Sequence, residues 1–237
     1  MLLASLAAGA VFAQSNLRTN GMLIFTKTAG YRHGSIEHGT EVVTKLAEKN
    51  GFFVRHTEDA SLFTKDRLRN YKIVVFLNTT GDIFTSDQEQ AMEWYVRNGG
   101  GFLGIHAAAD TEYDWPFYGE LVGGWFMSHP SVQEATIKVV DRLHISTKHL
   151  PERWVRTDEW YDYKAQPAKD VHILCELDTN SYQGHKMGNP HPIAWCHDKF
   201  GGRAFYTGGG HTSEAYDEVD FQKHLLGAIQ WVTQQAK

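Results

Sequence analysis

Residues 99–110, Gly99-Gly-Gly-Phe-Leu-Gly-Ile-His106-Ala-Ala-Ala-Asp110, decide the fold of this chain. They combine a glycine run that ends a helix, a short apolar strand and a tight turn of small residues. Such a turn presents one side chain at the carboxyl end of a strand, where ligands bind in open α/β sheets. The side chain presented here is His106. Hydrolases with this geometry carry Ser or Cys at that position. A histidine therefore disfavours acyl transfer and favours proton transfer or metal binding.

The residues before this stretch alternate between strand and helix patterns. The helical patterns cover 36–50, 64–70 and 88–97, and Thr85 or Ser86 is expected to cap the last of them. The strand patterns are apolar runs at 22–28, 71–80 and 102–106 and an alternating segment at 52–59. Alternation at this spacing predicts βαβ units, and hence a parallel sheet with helices on both faces.

The residues after this stretch read mostly as strands separated by turn signals. The strand patterns lie at 135–141, 154–163, 171–177, 191–198 and 202–210. They predict an antiparallel extension plus one strand that returns to the main sheet, followed by a terminal helix at 221–235.

Cys175 and Cys196 lie within two of these strand patterns. They are interpreted as buried free thiols, with a disulfide as the alternative if the strands are neighbours.

Composition limits the class of protein. A chain of 237 residues with 42% hydrophobic content can bury a full core, and residues 20–237 are expected to form one domain. The chain has a net charge of -5 and no blocks of basic residues, so it is not expected to bind nucleic acid. No apolar run is long enough to span a bilayer. A homo-oligomer is compatible with the sequence, although no feature selects it.

Residues 1–13 are almost entirely apolar and small. This pattern is typical of a secretory signal peptide with cleavage after Ala13. The expected location of the mature protein is therefore the periplasm or the extracellular space.

Several longer motifs together resemble the ThuA-like family, named for trehalose utilisation. They are FTKTAGYRHGSI (25–36), NTTGDIF (78–84), the run 88–124 around His106, SHPSVQEA (128–135), LPERWVRTDEWYDY (150–163), HPIAW (191–195) and GRAFYTGGGHTSEAY (202–216). The resemblance implies the flavodoxin-like three-layer sandwich of class I glutamine amidotransferases, with a mostly parallel central sheet. It also implies that the catalytic cysteine is missing, so the chain is not a glutaminase. The implied role is in carbohydrate metabolism, as a hydrolase or lyase of glycosides or 3-keto-sugar derivatives.

Polar and aromatic residues at predicted strand ends and loops supply the candidate site. The expected catalytic residues are His106, Glu159, His211 and Asp158, and the expected substrate-binding residues are His33, Asp110, Asp114, Trp115, Tyr161 and Tyr31. His129 and His144 are candidate metal ligands. Adjacent residues of a strand point to opposite faces, so only one of Asp158 and Glu159 is expected to enter the cleft.

Two mechanisms remain open at this point. In one, some of the residues His106, His129, His144, His211 and Glu159 bind a divalent metal such as zinc, which polarises a sugar oxygen or activates a water. In the other, a pair such as Glu159 and His106 transfers protons without a metal. The alternative to an enzyme is a sugar-binding or accessory protein whose cleft holds its ligand without chemistry.

Overall fold

The computed structural model describes residues 20–234, so the predicted signal peptide at 1–13 lies outside the described residues. The strands in this range are β1 (Gly21–Phe25), β2 (Phe53–Thr57), β3 (Ile73–Leu77), β4 (Gly101–Ile105), β5 (Phe126–Ser128), β6 (Gln133–Val139), β7 (Arg153–Asp158), β8 (Asp162–Tyr163), β9 (His172–Leu177), β10 (Pro192–His197) and β11 (Ala204–Thr207). The α-helices are α1 (Ile36–Lys49), α2 (Lys65–Leu68), α3 (Ser86–Arg97), α4 (Pro116–Val122) and α5 (Val219–Val232). Among them is no helix with both the length and the apolar character of a membrane span.

The main sheet has the strand order β2-β1-β3-β4-β11-β10-β9-β6-β7. Neighbours from β2 to β11 pair in parallel, and those from β11 to β7 pair antiparallel. β11 is thus the strand that returns to the parallel sheet. The predicted α/β class, a mostly parallel sheet with an antiparallel extension, is confirmed. β5 and β8 form a separate two-stranded ribbon.

The central strands form where the sequence is apolar on both faces. Every residue of β1, β3 and β4 is buried, as expected for parallel strands that are covered on both sides. Of the two predicted caps of α3, the structure uses Thr85. Its backbone N–H donates to the Gln88 side chain at 2.9 Å as part of a capping box. Gly99, with a φ of 84°, ends that helix and leads the chain into β4.

Two predicted elements differ in extent from the structure. The strand predicted at 154–163 is broken into β7 and β8, because residues 159–161 leave the sheet and Glu159 enters the site. The terminal helix begins at Val219 and ends at Val232. Cys175 and Cys196 are buried free thiols, as predicted. Their strands are neighbours, but neither cysteine is the register partner of the other.

The antiparallel extension curls back toward the parallel half of the sheet. Direction alternates from β11 onward, so β7 again runs in the direction of β11 and ends at the same edge. On β7, the ring of Trp154 lies 6.0 Å from that of His224 on α5. The Arg156 guanidinium lies 4.4 Å from the ring of Phe221 on the same helix. Because β7 packs on α5 in this way, Glu159 reaches the carboxyl ends of β4 and β11.

Candidate functional site

His106 is fixed directly after β4 in an unusual backbone conformation. Its φ of 48° lies in the left-handed region, which costs a non-glycine residue about 1–2 kcal/mol. Its carbonyl accepts a hydrogen bond from the Tyr206 hydroxyl at 2.9 Å, and its ring Nδ1 lies 2.8 Å from the Gly208 carbonyl. A carbonyl can only accept, so Nδ1 carries a proton and Nε2 is the ring nitrogen that faces the other side chains of the site. The side chain is completely buried.

Three further side chains meet His106 at this point. His106 Nε2 lies 3.2 Å from His211 Nδ1 and 3.5 Å from Glu159 Oε2, and His211 Nδ1 lies 3.2 Å from the same carboxylate oxygen. The fourth member is His33, whose ring centroid is 5.0 Å from that of His106 and 5.1 Å from that of His211. One ligand atom from each of the four residues lies within 4.8 Å of every other. We call these four residues the His–Glu cluster.

The spacing of the His–Glu cluster fits a tetrahedral metal. Bonds of about 2.0–2.1 Å to zinc place neighbouring ligand atoms roughly 3.3 Å apart, close to the three distances among His106, His211 and Glu159. His33 Nδ1 is buried and has no hydrogen-bond partner in the described structure. Such an atom normally has a partner, because an unpaired buried polar group is costly. The donor set of three imidazoles and one carboxylate suits zinc and related divalent ions.

Burial and close contacts shift the pKa values in the cluster. Burial alone would raise the pKa of Glu159, but hydrogen bonds from His106 and His211 outweigh it and hold this pKa at about 2. Burial lowers the pKa of His33 to about 3, and the neighbouring imidazoles add to the effect. For His211 the hydrogen bond to Glu159 outweighs burial, so its pKa is raised. At neutral pH the cluster thus offers a carboxylate and at least one neutral imidazole.

Asn78, directly after β3, joins the loops that carry the three histidines. Its side-chain nitrogen donates to Ser35 Oγ at 3.0 Å and to the Gly210 carbonyl at 3.2 Å. Its side-chain oxygen accepts from the Ala107 backbone N–H at 3.3 Å. Ser35 in turn donates to the Gly210 carbonyl at 3.1 Å. One amide side chain therefore contacts a residue within two positions of each histidine of the cluster.

The cluster opens into a cavity of about 370 Å³. Its walls are Tyr31, His33, Asp110, Phe126, His129, Glu159, Tyr161 and His211. The ring of Tyr161 lies 4.2 Å from that of His106, whereas Tyr31 is 67% exposed at the opening. Burial raises the pKa of Asp110, although a hydrogen bond from the Tyr113 hydroxyl opposes the shift. The volume lies in the range of small-molecule sites and suits one sugar ring.

Many of the residues predicted from the sequence meet in this cavity or at its base. His106, Glu159 and His211 are in the cluster, and the cavity walls include Asp110, Tyr161 and Tyr31. His129, predicted as a metal ligand, lies beside the cluster, with Nδ1 2.9 Å from Glu159 Oε1. His33, predicted to bind substrate, lines the cavity and is also a member of the cluster.

Asp158 has a different role from the catalytic one predicted. Its carboxylate is fully buried and is absent from the cavity wall. It accepts hydrogen bonds from the backbone N–H groups of Gly210 at 2.8 Å and His211 at 3.1 Å. Asp158 therefore holds the backbone of His211 in place and does not line the cavity. As expected for adjacent residues, only Glu159 enters the cleft.

Three other predicted residues lie away from the cluster. Trp115 is 8% exposed and packs against the rings of Phe117 and Tyr118 as part of the core. Asp114 is exposed and lines a different cavity. His144 Nδ1 hydrogen-bonds to Ser146, and its ring packs near those of Phe205 and Trp231. His144 is therefore not a member of the His–Glu cluster.

Sequence reasoning missed Asn78 and Phe126. Asn78 had a usable signal, since a polar residue directly after a buried strand marks the functional edge of an α/β sheet. Phe126 had none, because it is one of many aromatic residues and its position depends on the β5–β8 ribbon.

Comparisons with known proteins agree with this architecture. The profile of the ThuA family, described as trehalose utilisation, matches residues 21–232. A ThuA-like protein from Bacteroides uniformis ATCC 8492 is similar, with 27% identity and a TM-score of 0.76 over 95% of each chain. Another from Parabacteroides merdae ATCC 43184 has 22% identity and a TM-score of 0.74, covering 92% of this chain and 91% of that one. A β-galactosidase from Bacillus circulans sp. alkalophilus shares the fold alone, with 12% identity and a TM-score of 0.60 over 90% of this chain and 31% of the enzyme. No curated protein matches the chain significantly. Since the family profile covers all of the main sheet and the whole site, the chain belongs to the ThuA family.

Proposed function

We propose that this chain is a metal-dependent enzyme that cleaves glycosides or their 3-keto derivatives, as a hydrolase or a lyase. The observation that supports this proposal is the His–Glu cluster at the base of a sugar-sized cavity. The family description, trehalose utilisation, supports a carbohydrate as the ligand. The predicted leader at 1–13 supports export, which N-terminal sequencing of the exported protein would check.

The geometry favours metal binding over proton transfer by the same residues. The hydrogen bond from Nδ1 to the Gly208 carbonyl fixes the His106 ring so that Nε2 faces His211 and Glu159. Fixing one ring nitrogen by a backbone carbonyl is the usual way in which proteins orient a metal-binding histidine. When bound, a zinc ion would polarise a sugar oxygen or lower the pKa of a water.

The remaining groups of the cavity supply proton transfer and positioning. Asp110 is the carboxyl group of the cavity wall that lies outside the cluster. Because burial raises its pKa, it can hold a proton on a carboxyl oxygen and pass it to the oxygen of the leaving group. Tyr161 and Phe126, whose rings lie 4.3 Å apart, give the sugar ring an apolar wall.

The test combines metal analysis with turnover. The full-length protein is purified without chelator, loaded with zinc and assayed on a panel of glycosides and 3-keto-glycosides. We expect one zinc per chain and product from at least one substrate. His106→Ala should lose both. His144→Ala is the matched control, because this histidine lies outside the cluster, and it should keep both.

Two results would contradict the proposal. One is full turnover by His106→Ala, and the other is full turnover by protein from which the metal has been removed. If calorimetry detects sugar binding while chromatography finds no product, the non-catalytic sugar-binding protein is the better description.

A further inference from the structure

A second cavity of about 630 Å³ lies beside the first. Its walls come from α4 and from the segments 123–125 and 164–168. The two cavities are divided by neighbouring residues: Asp110 and Phe126 line the first, whereas Tyr113 and Trp125 line the second. The Tyr113 hydroxyl donates hydrogen bonds to the Asp110 carboxylate and to the Phe126 carbonyl, the latter at 3.2 Å. The Asp110 carboxylate and the Tyr113 ring therefore lie at the boundary between the two cavities.

Two aromatic rings of this second cavity are held in place. The indole Nε1 of Trp125 donates to the Thr111 carbonyl at 3.1 Å. At Gly119 on α4, a Cβ atom would lie only 2.5 Å from the indole, so this glycine allows the ring to pack against the helix. The ring centroids of Trp125 and Tyr113 are 6.1 Å apart. Since the polar atoms of both rings already have partners, these rings offer a preformed apolar surface for a flat group.

The rim of the second cavity carries charges of both signs, from Lys164 and Lys199 and from the carboxylates of Asp114 and Glu120. The Lys164 ammonium lies 3.7 Å from the centroid of the Tyr113 ring. Within residues 20–234 it has no carboxylate at ion-pair distance. Lys199 at the same cavity pairs with the exposed Asp170 at 3.1 Å. Lys164 is therefore free to donate hydrogen bonds to hydroxyl or carboxylate groups of a ligand.

We propose that the second cavity binds the aglycone of an aryl glycoside, that is, the aromatic leaving group of a substrate whose sugar lies against the His–Glu cluster. This inference rests on the proposed function. It adds the substrate class, because a flat apolar group with polar substituents matches the aromatic walls and the charged and polar rim. It also places Asp110 between the sugar and the leaving group.

The test compares ligands that differ only in the aglycone. Phenyl and methyl 1-thioglucosides, in both anomers, resist hydrolysis and are titrated into the zinc-loaded full-length protein by calorimetry. We expect one phenyl ligand to bind at least 10-fold more tightly than its methyl counterpart. Trp125→Leu removes the aromatic surface, and Ala165→Phe fills the cavity from an exposed position. Both should bring the ratio close to 1. Trp94→Leu is the control, because Trp94 lines neither cavity, and it should leave the ratio unchanged.

The proposal would be overturned if the methyl and phenyl ligands bind the parent protein with similar affinity, or if the phenyl ligands do not bind. It would also be overturned if the preference for the phenyl ligand is unchanged in both cavity variants. These outcomes are separable from a failure of the proposed function. The ratio is measured without turnover, whereas the proposed function fails through metal content and product formation.

Discussion

Replacing Asp158 by Asn tests how the scaffold positions the site. One oxygen of this carboxylate, Oδ1, accepts from the backbone N–H groups of Glu159 at 3.0 Å and His211 at 3.1 Å. The other, Oδ2, accepts from the Gly210 N–H at 2.8 Å and from the Arg156 guanidinium at 3.1 Å. Asparagine keeps one acceptor oxygen and replaces the other with an NH₂ group. Two of the four donor groups that contact Asp158 must then face the NH₂ group, which is also a donor, in a fully buried site.

The expected loss of stability depends on which hydrogen bonds and ion pairs remain after the substitution of Asp158. Breaking a buried ion pair by removing one charge typically costs about 3–5 kcal/mol. Arg156 keeps its second partner, Glu218, through contacts of 2.9 and 3.1 Å. We therefore expect the lower end of that range, a loss of about 3 kcal/mol in the free energy of unfolding. Because the lost bonds hold the loop of His211, zinc affinity should fall about 10- to 100-fold, as for other residues that support metal ligands.

Two measurements check this prediction. Urea denaturation gives the free energy of unfolding, and competition with a chelator gives the zinc affinity of the folded variant. Asp66→Asn is the control, because Asp66 forms one exposed ion pair with Arg69 and should change stability by less than about 1 kcal/mol. If Asp158→Asn is as stable as the parent, the assignment of Asp158 as a buried anchor is wrong. If stability falls and zinc affinity stays the same, the link from Asp158 to the cluster is wrong.

Two further predictions concern parts of the fold outside the cluster. Burial raises the pKa of Glu112 from 4.5 to about 7, against the hydrogen bonds that it accepts from the backbone at 83–84. The folded protein thus binds the proton of the Glu112 carboxyl more tightly than the unfolded chain does. This difference contributes to the free energy of unfolding below pH 4.5, and the contribution is lost as the pH rises through 7. Glu112→Gln cannot ionise, so relative to this variant the parent should lose about 3 kcal/mol of its free energy of unfolding across that pH range. If the curves of unfolding free energy against pH are parallel for the two proteins, this prediction is wrong. Gly39 lies under the ring of Tyr216, where a Cβ would be 2.6 Å from the ring. Gly39→Ala should therefore lower stability by about 1–3 kcal/mol, whereas Gly34→Ala, whose Cβ would meet nothing within 4 Å, should be nearly neutral; equal melting temperatures for the two variants would refute the packing argument.

The sequence predicted those parts of the molecule that depend on local patterns. The central strands could be predicted because their residues are apolar on both faces. The position of His106 could be predicted because a helix stop, a strand and a small-residue turn follow one another directly. These signals are short-range and need no knowledge of the rest of the chain.

The membership of the cluster could be predicted only in part, because it depends on long-range packing. His33 joins the cluster and His144 does not, although both follow apolar strand patterns. Glu159 arrives only because the antiparallel extension curls onto α5. Alternation along a strand correctly implied that one of Asp158 and Glu159 would enter the cleft. It could not tell which, since the break after β7 changes the direction of the chain.

The same dependence on long-range packing explains why the proposed metal site has no compact sequence motif. A motif such as HExxH holds two ligands on one helix, so local structure alone brings them together. Here His33, His106, Glu159 and His211 follow β1, β4, β7 and β11 in separate loops. They meet only when the parallel strands are assembled and β7 has packed against α5. Binding of a metal to such a set is coupled to formation of the whole sheet. The buried Asp158 and Asn78, which hold these loops in place, are therefore as necessary to the site as the ligands themselves.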